Sequence, residues 1–287
     1  LVGSEMCIRD RRYGVNMDIA IIGGGASGLC SAICAARNLR KKGLSGKITV
    51  LERSQKVGRK LLATGNGRCN LMNENISLSS FHGDIKIAES VFSRFSYDEI
   101  SEFFSSLGLL TRADSMGRVY PYSNRADTVL STLLLACKQY GVEIITDFTV
   151  LDIKRHKDKL EIISESCKIS ASSVIIACGS RANKGLGSNL GYELLGKIGV
   201  SYSPLFPSLT SVAVSENISM LKGVRVRGNV KFLADKQIIH SEDGEIQFTD
   251  KSLSGICVFN ISRYAGEFFR LGTINGNNCE NIRIELN

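Results

Sequence analysis

No run of 18 consecutive apolar residues occurs in the 287-residue chain, which excludes a membrane-spanning helix of ordinary length. Histidine is scarce, limited to His82, His156 and His240. No Cys-x-x-Cys pair accompanies them, so zinc-type spacing is absent and no metal is expected. The three histidines also show no Ser/His/Asp arrangement, and His156 and His240 read as solvated turn or strand-end residues. There are no internal repeats and no low-complexity tracts. A secretory leader pattern is missing as well, and the nine cysteines are scattered. Cys30 and Cys34 lie one helical turn apart, while Cys137, Cys178 and Cys257 sit in apolar runs. Unpaired thiols of this kind point to a reducing compartment, so a cytoplasmic location is expected.

What is present begins with the apolar run Asp18–Ile22, followed by Gly23-Gly24-Gly25-Ala26-Ser27-Gly28 and an Ala-, Leu- and Ser-rich stretch. That order predicts strand, tight turn and helix. Gly23 permits the turn, Gly25 lets backbone approach a pyrophosphate, and Gly28 allows close helix–strand packing. The helix N-terminus offers free N–H groups and a positive dipole end to phosphate. A lone G-x-G-x-x-G is weak, so the context decides it. Ile48–Leu51 reads as the next strand and ends on Glu52, where a carboxylate meets ribose hydroxyls and repels a 2′-phosphate. The bland alternative is a glycine turn before a core helix with a chance acid downstream.

At 287 residues the chain has room for two domains. Its formal net charge of +8 is spread along its length. Such charge fits a solvated surface, or an anionic partner such as a dinucleotide or RNA. Residues 1–16 follow neither helical nor strand periodicity, and Ser4–Asp10 resembles translated adapter sequence. They are read as an extraneous or disordered segment. Helices are predicted over 84–94, 97–107 and 124–140, the last capped by Asn124 and stopped by Gly141. Gly117–Pro121 reads as extended. Val142–Thr146, Val150–Arg155 and Leu160–Ser164 read as strands, with an antiparallel meander over about 142–170. Val174–Cys178 reads as a buried strand. Gly185–Gly191 mimics a second nucleotide loop and is taken as a connector into a helix near Tyr192.

From Pro204 and Pro207 the texture turns β-rich, with runs at Leu209–Val214, Gly228–Ala234 and Gly244–Thr249 and few helix signals. After Tyr264 the pattern fades into Leu271–Asn278, with no closing element expected and a truncated reading frame inferred.

Together these pieces resemble the two-dinucleotide-binding-domain flavoproteins, and more closely the BaiN/RdsA (YhiN-like) family of FAD-dependent oxidoreductases. The resemblance spans about Met17 to Gly266. It rests on Ile21–Gly28, Gly58-Arg59-Lys60, Gly65-Asn66-Gly67-Arg68-Cys69-Asn70 and Gly117–Pro121, then on Ser203–Leu209, Gly244–Thr249 and Leu253-Ser254-Gly255. It implies an α/β fold. A Rossmann-like FAD-binding domain with an antiparallel β-meander occupies 17–203, and an incomplete β-rich inserted domain occupies 204–287. The family's later return to the FAD domain lies beyond this sequence.

Carried over by the resemblance, Gly23, Gly25, Ala26, Ser27 and Gly28 hold the pyrophosphate and Glu52 the adenosine ribose, with Arg53 and Lys60 nearby. The Val150 backbone meets adenine. Ala177 and Gly179 meet the flavin, with Cys178 standing where the family more often has threonine. The Gly65, Arg68, Cys69 and Asn70 loop is expected at the cofactor, where Arg68 neutralises phosphate or reduced flavin. Cationic neighbours are expected to lower the Cys69 thiol pKa. A proton-donor role for Cys69 stands beside the plainer reading of a buried thiol that locks the loop. No dedicated NAD(P) domain is visible, so NAD(P)H is expected only as a transient reductant. The resemblance leaves two substrates open, an unsaturated small molecule or a uridine of ribosomal RNA reduced to dihydrouridine. A non-catalytic flavin-binding fragment is the reading of another class.

Overall fold

The computed structural model describes residues 17–82, 85–183 and 185–287. The expectation for residues 1–16 lies outside the described residues. Strand β1 (Ile19–Ile22) is followed by helix α1 (Ala26–Lys41) and strand β2 (Ile48–Leu51). Four strands form a parallel sheet in the order Ser173–Ile176, β1, β2, Glu143–Ile145. The period of two in β1 and β2 sorts their side chains onto two cores. Ile21 and Val50 pack with Leu29, Ile33 and Ala36 of α1, and with Val129 and Leu133 of the helix Ala126–Gln139. Ala20, Ile22 and Leu51 face the other way, onto Phe148, Ile153, Ile162 and Leu194. Burying a Leu or Ile side chain contributes about 1.5–3 kcal/mol, so this two-faced sheet is the main anchor of the first half.

Both long helices of this half end on glycine. Gly43 (φ +63) and Gly141 (φ +73) take the left-handed turn. Leu44 N–H then reaches Leu39 O at 2.9 Å, and Val142 N–H reaches Cys137 O at 2.9 Å. The predicted stop at Gly141 therefore has a physical basis. The predicted cap does not: the helix begins at Ala126 after Arg125, and Asn124 (φ +55) belongs to the preceding turn. The two shorter helices run Ile85–Phe92 and Tyr97–Ser106, the second capped by a reciprocal Ser96–Glu99 pair.

The meander is shifted from its expected position. Its strands are Asp152–His156, Lys159–Ile163 and Lys168–Ala171, all antiparallel. Glu143–Ile145 belongs instead to the parallel sheet, because the glycine turn after the preceding helix returns the chain alongside β2. Val150 precedes the first meander strand rather than opening it. A small separate sheet joins Met72–Asn73, Arg118–Pro121 and Thr111–Ala113.

The chain divides into two units between Ser201 and Tyr202. The second unit is an antiparallel sheet built on the long pair Arg225–Ala234 and Gln237–Phe248. It differs from expectation in three places. Leu209–Val214 contributes only Val212–Ala213. A 16-residue helix, Ile256–Leu271, packs Cys257, Val258, Ile261 and Tyr264 against Val230, Phe232 and Ile246. Finally, Leu271–Asn278 does not fade out: Thr273–Ile274 and Asn277–Asn278 form a hairpin, and Ile282–Leu286 pairs with Arg225–Ala234. Aromatic and β-branched residues, which read as strand, supply the apolar face of this helix and hide its helical period.

Candidate functional site

A cleft of about 300 Å³ opens at the carboxyl ends of β1, β2 and Ser173–Ile176. Its floor is the glycine turn. Gly23 N–H donates to Leu51 O at 2.8 Å, extending the parallel ladder past β1. Gly23 has φ +114, and a Cβ there would lie 2.4 Å from Ala177 O. At Gly28 a Cβ would lie 1.8 Å from Gly23 O. Both glycines are therefore fixed by packing. Gly25 is different: it has the extended φ of −83°, and a Cβ there meets nothing within 4 Å. The space above it belongs to the cleft. Gly25 precedes α1, whose first turn carries no acidic residue and no side-chain cap, so its N–H groups face outward.

Glu52 is held by backbone on both oxygens. Gly24 N–H donates to one at 2.8 Å and Ser54 N–H to the other at 2.9 Å. A carboxylate fixed in this way keeps further lone pairs for sugar hydroxyls. Gly24 makes the clamp possible, since a Cβ there would lie 2.5 Å from Val57 and 3.2 Å from the Glu52 Cβ.

Of the predicted residues, Gly23, Gly25, Ala26, Ser27, Glu52, Arg53, Lys60, Ala177 and Gly179 all line the cleft. Gly28 lies behind it, against β1. Arg53 and Lys60 turn their charged ends toward backbone: Arg53 donates to Gly187 O at 3.1 Å, and Lys60 to Ser180 O at 2.9 Å. Val150 is buried in the core, and Phe148 lines the cleft in its place. Gly65, Arg68, Cys69 and Asn70 are not among the lining residues. The Arg68 guanidinium instead sits 4.5 Å over the Tyr120 ring. Cys69 is buried and left-handed (φ +58), and burial raises its thiol pKa. The expected lowering is thus reversed, because desolvation of the thiolate outweighs the hydrogen bond from Thr64 that opposes it. Cys178, at the end of its strand, is pushed up to about 11 by burial and then by the nearby Glu52.

Sequence reasoning missed Ser54, Phe148, Leu186, Ser188 and Leu190 as wall residues. A signal existed for Ser54, since a turn two residues past an acid returns an N–H to that carboxylate. Leu186, Ser188 and Leu190 fall in the segment read as a connector, which also forms a wall. Among the described residues, no cluster of His, Cys, Asp and Glu is placed to hold a metal, and no helix is long and apolar enough to cross a membrane.

A parallel sheet with a glycine turn, an open helix N-terminus and a clamped acid at the second strand end defines a Rossmann-type dinucleotide-binding protein. Residues 17–282 match the family model described as HI0933-like protein Rossmann domain, and the chain belongs to that family. It is 40% identical over 249 residues to a 3-dehydro-bile acid delta(4,6)-reductase of Clostridium scindens, covering 86% of this chain and 60% of that protein. It is 26% identical over 253 residues to a ribosomal RNA dihydrouridine synthase of Haemophilus influenzae, covering 85% and 60%. The chain thus spans about 60% of the length of these curated relatives. Among solved structures, a 3-ketosteroid-delta4-(5alpha)-dehydrogenase of Rhodococcus jostii aligns with a TM-score of 0.45 at 15% identity, over 58% of this chain and 46% of that one.

Proposed function

We propose that this protein is an FAD-dependent oxidoreductase that reduces an unsaturated small molecule, with NAD(P)H as the transient reductant. The observation that carries the cofactor assignment is the void at Gly25. It is open cleft space into which a side chain at Gly25 would project, set at the N-terminus of α1 and beside a carboxylate already oriented by backbone. In this reading the α1 N-terminus at Gly25, Ala26 and Ser27 holds the pyrophosphate. Glu52 accepts the ribose hydroxyls of the adenosine and disfavours a 2′-phosphate. Ala177 and Gly179 let backbone approach the flavin half. Phe148, Leu186 and Leu190 exclude water from the cleft. Bound FAD supplies the hydride chemistry, while the protein contributes binding and orientation. Cys69 is assigned to the loop structure rather than to proton transfer, on the strength of its burial.

The 40% identity to a delta(4,6)-reductase supports a conjugated ring ketone as substrate class. The test is optical. The purified protein should show a flavin absorbance band that bleaches with NADH or NADPH and recovers on adding a 4,6-dien-3-one steroid. A coloured protein whose reduced flavin ignores the steroid would refute the substrate class. A colourless protein would favour a non-catalytic fragment, a reading motivated by the 60% coverage. The second substrate reading, reduction of a ribosomal RNA uridine, draws on the net charge of +8 and on the dihydrouridine synthase relatives. It requires association with ribosomal RNA that weakens steeply with salt.

A further inference from the structure

Residues 180–183 and 185–188 meet at a narrow neck. Ser188 N–H donates to Ser180 O at 3.2 Å. At the same neck a Cβ on Gly187 would lie 2.3 Å from Arg181 O, so only glycine allows the two strands of the neck to approach. Two cations from the opposite side of the cleft fasten this neck. Lys60 Nζ donates to Ser180 O at 2.9 Å. Arg53 donates through one Nη to Gly187 O at 3.1 Å and through the other to Ser188 Oγ at 3.3 Å. Ser188 Oγ also accepts from Leu190 N–H at 3.1 Å, tying the neck to the start of the helix Leu190–Lys197. Leu186, Ser188 and Leu190 are cleft wall.

We propose that Arg53 and Lys60 are positioning residues that staple this neck, fixing one wall of the cleft before the dinucleotide arrives. Their charged ends are committed to the neck, so neutralisation of the pyrophosphate falls to the N-terminus of α1 and the remaining cleft cations, Lys56 and Arg59. Pre-ordering the wall removes an ordering penalty from binding. Arg53 suits the task because its planar fork reaches two acceptors at once, which a lysine at the same position does not. The link to cofactor affinity rests on the FAD reading, but the staple itself does not.

The test uses the full chain with R53A, S188A, the double variant and R53K. The first readout needs no cofactor. Trypsin cleavage within residues 180–188 of the native protein should rise about 10-fold in R53A and less in R53K. An unchanged cleavage rate would overturn the staple. The second readout is FAD titration by fluorescence quenching at low and moderate salt. R53A and S188A should each weaken binding about 10-fold, which is about 1.4 kcal/mol. The double variant should be no more than about 2-fold weaker than the worse single, as expected for coupled partners. The salt dependence should match wild type. If S188A binds as wild type while R53A weakens binding and flattens the salt dependence, Arg53 contacts phosphate directly and the positioning role is wrong. Wild-type protein that binds no FAD would instead refute the cofactor reading, and the proteolysis result would still decide the staple.

Discussion

Gly25→Ala separates binding from stability more cleanly than any other single change in the glycine turn. The added methyl meets no atom within 4 Å, and the backbone at φ −83°, ψ −171° is ordinary for alanine. Alanine is a poorer residue than glycine at the position before a helix, by roughly 0.5–1 kcal/mol. It also restricts the unfolded chain, a gain of about 0.4–1 kcal/mol. The two effects offset, so the melting temperature without cofactor should stay within about 2 °C of wild type. The methyl, however, occupies the space assigned to the pyrophosphate. Displacing one phosphate oxygen from an N–H forfeits a charge-assisted hydrogen bond of about 1.5–3 kcal/mol. That corresponds to a loss of roughly 10- to 100-fold in FAD affinity. Gly28→Ala is the contrast, because its methyl would lie 1.8 Å from Gly23 O and force α1 off β1. Destabilisation on the order of 3 kcal/mol is expected there. Thermal unfolding of both variants and FAD fluorescence titration of Gly25→Ala provide the measurements. Wild-type FAD affinity in Gly25→Ala, or a fall in its melting temperature as large as that of Gly28→Ala, would refute the placement of the pyrophosphate.

Three further expectations follow from the same geometry. Glu52→Gln puts an amide N–H₂ against the N–H of Gly24 or Ser54, both of which now donate to the carboxylate; FAD affinity should fall about 10-fold with a loss of stability near 1 kcal/mol, read by titration and urea unfolding. Gly43→Ala forces alanine to φ +63 at the end of α1, far from the cleft; about 1 kcal/mol of stability should be lost with FAD affinity unchanged, and a change in affinity would show that α1 is not a rigid platform. Burial pushes the Cys30 thiol up to about 12 and those of Cys137 and Cys178 up to about 11. The unfolded thiols ionise near pH 9 while the folded ones keep their protons, so this stability is fully present below pH 9 and falls as pH rises toward 11, by at most about 1.4 kcal/mol per thiol per pH unit. A Cys30→Ala/Cys137→Ala variant should show a shallower decline in melting temperature over that window, and an identical slope would count against the burial.

The features that were legible in the sequence are those fixed locally. The positive φ of Gly23 and Gly141 and the close approach of Gly28 to Gly23 are local, and the short apolar runs of β1 and β2 need no knowledge of partners. Pairing choices were not legible. Val142–Thr146 and Leu160–Ser164 have the same β-branched texture, yet one joins a parallel sheet and the other a meander. The decision lies in the turn that precedes each strand. The helix Ile256–Leu271 failed for a related reason, since Ile256, Val258, Phe259 and Ile261 favour strand locally and only packing on Phe232 and Ile246 makes them helical. Within the site, the Gly65–Asn70 motif was the most specific pattern in the chain, but specificity of pattern is not location. Gly65, Asn66, Gly67 and Cys69 all adopt positive φ, and this tight turning carries Arg68 onto Tyr120.

Charge also has an address that composition conceals. Residues 202–287 hold nine basic and nine acidic side chains, so the whole net charge of +8 belongs to residues 1–201. Four cations, Arg53, Lys56, Arg59 and Lys60, line the cleft, yet Arg53 and Lys60 are spent on backbone carbonyls. If the helix terminus carries the phosphate, few side-chain cations engage it when FAD binds, and its affinity should change little between roughly 50 and 200 mM salt. A polyanion docked on the same half would neutralise many separate lysines and arginines, and its affinity should fall by orders of magnitude over that range. A salt series therefore separates the cofactor from an RNA substrate on one sample. A steep slope for FAD itself would return Arg53 and Lys60 to the phosphates and remove the reason for a stapled wall.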